Sequence, residues 1–228
     1  MPSLTEAAKR QLTLSTHHIP RAYERLAEGV AALRAIRPAY RVTGRCVVQR
    51  QNYHDLPNII RAAHELGLDQ ISFLAADVST TAFNRPQLWG DARVAEIALS
   101  PNEVAHFCTV LEEAVQTFAG DFAARFVAES PQKLRRLAQY YAALNGDGDF
   151  PPVTCNAPWV STVIEADGTV RPCFFHAALG NVHEQPLSDI LNGETALTFR
   201  RNLDVARDPI CRKCVCTLYL GPRAPVTG

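Results

Sequence analysis

The sequence predicts an α/β protein in two parts, and three observations predict it. A strand, a helix and a second strand fit between Tyr40 and Ala76, which is the pattern of a parallel βαβ unit. Two amphipathic helices follow, each announced by a Ser-Pro start. The last third is different: it holds five of the seven cysteines, between Cys155 and Cys216, around an Asp167-Gly168 turn.

Residues 1–19 form a polar tail ending in Thr16-His17-His18-Ile19. Adjacent histidines on an extended chain point to opposite faces, which argues against a shared metal. Pro20 opens a helix with an apolar stripe of Tyr23, Leu26, Val30, Leu33 and Ile36. Residues 40–49 read as a strand. Asp55 is placed to cap the next helix, Pro57 fits its first turn, Ile59, Ile60, Ala63 and Leu66 make its inner face, and Gly67 ends it. Residues 68–76 are a second strand, apolar enough to be covered on both faces.

Residues 77–99 read as a long loop after the C-terminal end of a parallel strand, where α/β proteins place their sites. Ser100-Pro101-Asn102-Glu103 is a capping box, and Val104, Phe107, Leu111, Val115 and Phe118 carry its helix. Phe122–Val127 suits a short strand. Ser130-Pro131 starts another helix, with Leu134, Leu137, Tyr141 and Leu144 inward. Asn145-Gly-Asp-Gly-Asp is a break, so the parts divide as 20–149 and 150–220, with a tail at 221–228. The second part reads as a hairpin over 160–174, a Gly180-Asn181 turn, and helices over 187–191 and 194–207.

Formal net charge is zero, which gives no general pull toward nucleic acid or an anionic membrane. No apolar run approaches the roughly 20 residues of a membrane span. The N-terminus has no apolar signal-peptide core, so the chain is expected in the cytoplasm. Thiols stay reduced there, and clustered cysteines read as metal ligands rather than disulfides.

Cys211-x-x-Cys214 lets two thiolates reach one metal centre. A two-residue Asp167-Gly168 turn puts Thr162 opposite Cys173, and Cys155 then folds back beside Cys173. Cys155, Cys173, Cys211 and Cys214 thus suit a tetrahedral sulfur site holding zinc or an iron–sulfur cluster, with Cys216 as an alternate or second-site ligand. Cys46 and Cys108, 62 residues apart, read as buried apolar side chains. His176 and His183 flank the site. Arg171, Arg212 and Lys213 are cations that would raise a nearby cluster's potential.

Around the cysteines the sequence resembles a known family. Cys155, twelve residues, Gly168, four residues and Cys173 are followed by Cys211-x-x-Cys214-x-Cys216, with Pro158-Trp159, Asp167-Gly168-x-Val170-x-Pro172, Gly180-Asn181 and Ile190-Leu-Asn192 between. This is similar to the C-terminal auxiliary-cluster domain of radical S-adenosylmethionine (SAM) proteins, called SPASM in its full form and twitch in its shorter one. The resemblance implies one auxiliary [4Fe–4S] cluster, with zinc as the alternative. It also implies that residues 20–145 are later βα units of a partial (βα) barrel. Asn52, after the first strand, would be a SAM contact, and Asp77 and Asn84 would face a peptide or small-molecule substrate.

In that family a Cys-x3-Cys-x2-Cys motif holds the cluster that cleaves SAM, and this chain contains no such triplet. A βα unit takes about 30 residues, so the stretch before residue 150 holds fewer units than the family's barrel. The expectation is a C-terminal portion that cannot cleave SAM alone and needs a complementary N-terminal half, or a non-enzymatic metal-stabilised binding or electron-transfer subunit.

Overall fold

The structure is a computed structural model that describes residues 21–82, 85 and 87–221. His17, His18, Pro20 and Asn84 lie outside the described residues. The chain divides into two compact units. The first takes in residues up to Ala76 together with Asp91–Asp149, and the second takes in Asp77–Gly90 together with residues from Phe150 onward.

In the first unit, helix α1 (Ala22–Ile36) precedes strand β1 (Thr43–Val48), a 3₁₀ turn (Tyr53–Asp55), helix α2 (Leu56–Glu65) and strand β2 (Gln70–Ala75). β1 and β2 pair in parallel, Thr43 with Gln70 through Val48 with Ala75, as a βαβ unit requires. Helices α3 (Asp91–Ile97), α4 (Pro101–Thr117), α5 (Ala119–Ala123) and α6 (Pro131–Leu144) follow. Gly67 ends α2 at φ 66, a left-handed conformation that glycine reaches without steric cost.

Tyr141 of α6 ties this unit together. It is fully buried, its hydroxyl donates to the Val48 carbonyl at 2.5 Å, and it accepts from the Ala76 N–H at 2.9 Å. One side chain thereby satisfies the last carbonyl of β1 and the amide just past β2. Phe107, Leu111 and Leu134 pack in the same core.

Several expectations are corrected here. Within 77–99, residues 91–97 form α3. Of 122–127, only Val127 bridges Ile71 in parallel, because the backbone first closes α5. β2 is covered on one face only: Ile71, Phe73 and Ala75 are buried, while Ser72 and Leu74 are half-covered. The Phe73 amide is taken by the Glu129 carboxylate at 2.9 Å, where a longer third strand would supply a carbonyl. Asp55 accepts from the Asn58 side chain and not from a helical amide. Along α1 only Val30 of the expected stripe is buried, and Leu26, Leu33 and Ile36 are 53%, 43% and 84% exposed. No closed barrel forms among the described residues, and the parallel sheet has two strands.

In the second unit, a short helix α7 (Ala157–Val160) leads into a three-stranded antiparallel sheet of β3 (Val163–Ile164), β4 (Thr169–Arg171) and β5 (Gly180–Asn181), followed by α8 (Leu187–Asn192) and α9 (Glu194–Asn202). α9 stops five residues short of the expected end. Leu203 is extended, and Asp204 accepts the Ala206 amide in a turn. The Asp77–Gly90 segment is held by its own polar contacts. Asp77 pairs with Arg85 and accepts from Thr80 and Ser79, and Arg85 lies 4.5 Å from the Trp89 ring centroid.

Two predictions follow from the first unit's buried polar groups. Tyr141→Phe leaves the Ala76 amide and the Val48 carbonyl without a partner. It should cost about 1–3 kcal/mol of stability in urea unfolding. Burial raises the Glu129 carboxyl above its ordinary value of 4.5, partly opposed by the Phe73 amide and by Lys133. The folded state therefore holds that proton more tightly than the unfolded chain, and stability from this group falls as pH rises past about 4.5. Glu129→Gln should gain on the wild type between pH 5 and pH 7.5; a constant gap would refute the assignment.

Candidate metal centre

The hairpin sets the geometry. Val163 pairs with Arg171 and Ile164 with Val170, so Thr162 stands opposite Pro172 and not Cys173. The register is one residue off the expected one because the loop has three residues, Ala166–Gly168. The Gly168 N–H closes a turn onto Glu165, and Gly168 then takes φ 82. That is a turn followed by a left-handed residue, the second most favoured way to join two strands. Thr162 still ties the hairpin, donating its hydroxyl to the Arg171 carbonyl at 2.8 Å.

Cys155 precedes α7, Cys173 follows β4, and Cys211–Lys213 form a 3₁₀ turn that leads to Cys214 and Cys216. The structure brings all five together. Cys173 is close enough to Cys155 and Cys216 for their charges to disfavour its ionisation; Cys211 feels the Asp208 carboxylate, which also hydrogen-bonds its thiol, and then Cys214 and Cys173; Cys214 feels Cys216, Cys155 and Cys173. Burial is the largest cause of the raised Cys173, Cys211 and Cys214 thiols, and it pushes Cys214 up to about 12. Such thiols stay protonated unless a cation takes the proton's place, and a bound metal does that.

Backbone amides point at the sulfurs. The Ala157 N–H reaches Cys155 Sγ at 3.5 Å, those of Phe175 and His176 reach Cys173, and that of Cys216 reaches Cys214. Asp208 accepts the Ile210 and Cys211 amides at 2.9 and 2.8 Å, which fixes the turn carrying Cys211.

Residues 155–215 match the family model of SPASM, an iron–sulfur cluster-binding domain. The match includes Cys155, Cys173, Cys211 and Cys214 and stops one residue before Cys216. No radical SAM model matches the residues before it. No curated protein and no solved structure matches the chain. In the SPASM region the donor chemistry fits the group: soft thiols on two tight turns, with amides directed at them. Among the described residues, the trio of metal-capable atoms lying within 4.8 Å of one another is His176, Asp208 and Cys211, which could itself hold a metal ion. The five cysteine sulfurs do not meet that condition, and one tetrahedral zinc would draw four of them to about 3.8 Å apart.

The remaining candidates lie elsewhere. Asn52 belongs to the first unit and is spent on its own turn: it accepts the Gln49 amide at 2.8 Å and donates to the Val47 carbonyl at 3.0 Å. It also lines a groove of about 750 Å³ with Cys46, Gln49 and Leu26. Asp77 is used by Arg85. Cys46 is partly covered, and burial pushes its thiol up to about 12, while Cys108 is exposed on α4, against the expectation of a buried side chain. His183 is exposed and packs beside Gly168. Arg171 is engaged by Glu165 at 3.0 Å, and Lys213 lies over the Phe150 ring. His176 was legible only as a flanking residue, yet it is buried with Nε2 3.3 Å from Cys211 Sγ.

Gly168 offers a direct test of the hairpin. A Cβ there would meet His183 Cδ2 at 2.5 Å and Asn181 Oδ1 at 2.7 Å, at a φ that costs an ordinary residue about 1–2 kcal/mol. Gly168→Ala should lower the thermal midpoint of the SPASM region and its metal content together, read by calorimetry and metal analysis.

Proposed function

We propose that this chain is the C-terminal, auxiliary-cluster part of a radical SAM-type system, and that Cys155, Cys173, Cys211 and Cys214 hold one [4Fe–4S] cluster. The observation that carries the reading is the convergence of hairpin and 3₁₀-turn thiols inside the region matched to an iron–sulfur cluster-binding domain. The zinc-stapled binding module is the competing reading, and metal content separates the two. Cys216 lies outside the matched residues and takes the role of a neighbour, its amide directed at Cys214.

Four protein thiolates leave no iron open to a substrate. Such a cluster passes electrons or stabilises its domain. SAM cleavage then requires a Cys-x3-Cys-x2-Cys segment from outside residues 1–228, and the partner we infer is a polypeptide or chain segment bearing it. The first unit supports this reading: β1 is an edge strand, Leu26 of α1 shares a groove with its Thr43–Val47, and α1 leaves Leu26, Leu33 and Ile36 exposed. An edge strand of a parallel sheet with bare apolar neighbours is a pairing surface. The substrate class of the assembled system is a peptide or small molecule, on the strength of the resemblance.

The test is iron, sulfide and zinc analysis of protein purified without oxygen, with its visible spectrum. About four iron and four sulfide per chain are expected. Changing Cys155, Cys173, Cys211 or Cys214 singly to Ala should cut iron several-fold and bleach the colour, whereas Cys216→Ala should keep most of both. One zinc per chain and no colour would overturn the cluster.

A further inference from the structure

His176 touches both halves of the sulfur site. Its backbone N–H points at Cys173 on the hairpin, its ring nitrogen Nε2 stands 3.3 Å from Cys211 Sγ on the 3₁₀ turn, and its carbonyl accepts from Arg171 Nη1 at 3.1 Å. Arg171 is in turn fixed by Glu165. The ring is buried and held edge-on against Phe199 of α9, with centroids 4.9 Å apart. Backbone amides serve Cys155, Cys173 and Cys214, whereas the side chains at Cys211 are this ring and the Asp208 carboxylate, which takes a hydrogen bond from the free thiol and loses it once the thiol is ligated.

We propose that His176 is a positioning residue that donates an Nε2–H hydrogen bond to the Cys211 thiolate and thereby raises the reduction potential of the bound cluster. The inference rests on the cluster reading above. A thiolate bonded to iron carries no proton, so the shared hydrogen of this contact must sit on the ring nitrogen. The other acceptor facing the ring, Asp208 Oδ1, lies at 3.9 Å, beyond hydrogen-bond reach, and already receives two backbone amides. A donor at a ligand sulfur withdraws electron density from it and so favours the reduced cluster, which carries one more negative charge. Each iron of a [4Fe–4S] cube takes one protein ligand. With Cys211 as that ligand, the ring nitrogen acts on its sulfur.

The experiment is a redox titration of the reconstituted full chain, comparing wild type, His176→Leu and His176→Gln. His176→Leu should shift the midpoint negative, and His176→Gln, whose side-chain N–H can reach the same point, should recover most of the shift. Equal midpoints in wild type and His176→Leu at equal iron content would overturn the inference and leave the cluster reading standing. Wild type holding zinc without iron would remove both.

Pulsed EPR of the reduced wild-type cluster, with ¹⁵N-labelled histidine, needs no variant to fold. A weak histidine nitrogen coupling with an exchangeable proton is expected. A strong coupling, which marks an iron–nitrogen bond, or none at all, would refute the hydrogen bond.

Discussion

The second unit is short of hydrophobic core, and its architecture follows from that shortage. Among its described residues the buried apolar side chains are Val78, Ala82, Ala157, Val170, Ile190 and Ala196, with Pro158, Pro172 and the Cys211 thiol. Its strands are two, three and two residues long. A region of this size gains only a few kcal/mol from such a core, and small domains make up the difference with disulfides or a metal. All seven cysteines are free, and five of them converge where hairpin and turn meet.

The first unit meets its demands by other means. Its parallel strands are too few to cover one another, and each exposed backbone group is met by a side chain. Tyr141 serves the ends of β1 and β2, Glu129 serves Phe73, and Asn52 serves Gln49 and Val47. These groups stand where further strands would supply backbone partners, so the sheet terminates cleanly on the β2 side. On the β1 side Asn52 meets the Val47 carbonyl, while most of the apolar stripe of α1 stays in solvent.

How much was legible depended on range. The βαβ unit and both Ser-Pro helix starts follow from local spacing and turn chemistry, and the structure has them. The hairpin register slipped by one because Asp167-Gly168 fits a two-residue turn as readily as the end of a three-residue loop; Gly168 is left-handed in both. The Phe122–Val127 strand was lost because its one bridge at Val127 does not outweigh the helical closure of 119–123. His176 escaped because a lone histidine beside four cysteines carries no sequence signal. Its value comes from Phe199 and Cys211, which are distant in sequence and meet the ring only in the fold.

The same geometry separates Cys214 from Cys216. The Cys214 thiol contacts the Cys216 carbonyl at 3.3 Å, and that contact needs a proton on sulfur. On ligation the proton leaves, the carbonyl loses its donor, and the Cys216 amide already directed at Cys214 becomes the favourable partner. If Cys216 were the ligand instead, the buried Cys214 thiol would stay protonated beside the metal and the amide pointing at its sulfur would serve no charge. The placement of that amide therefore favours Cys214 as the fourth thiolate and leaves Cys216 to shape the turn beside it.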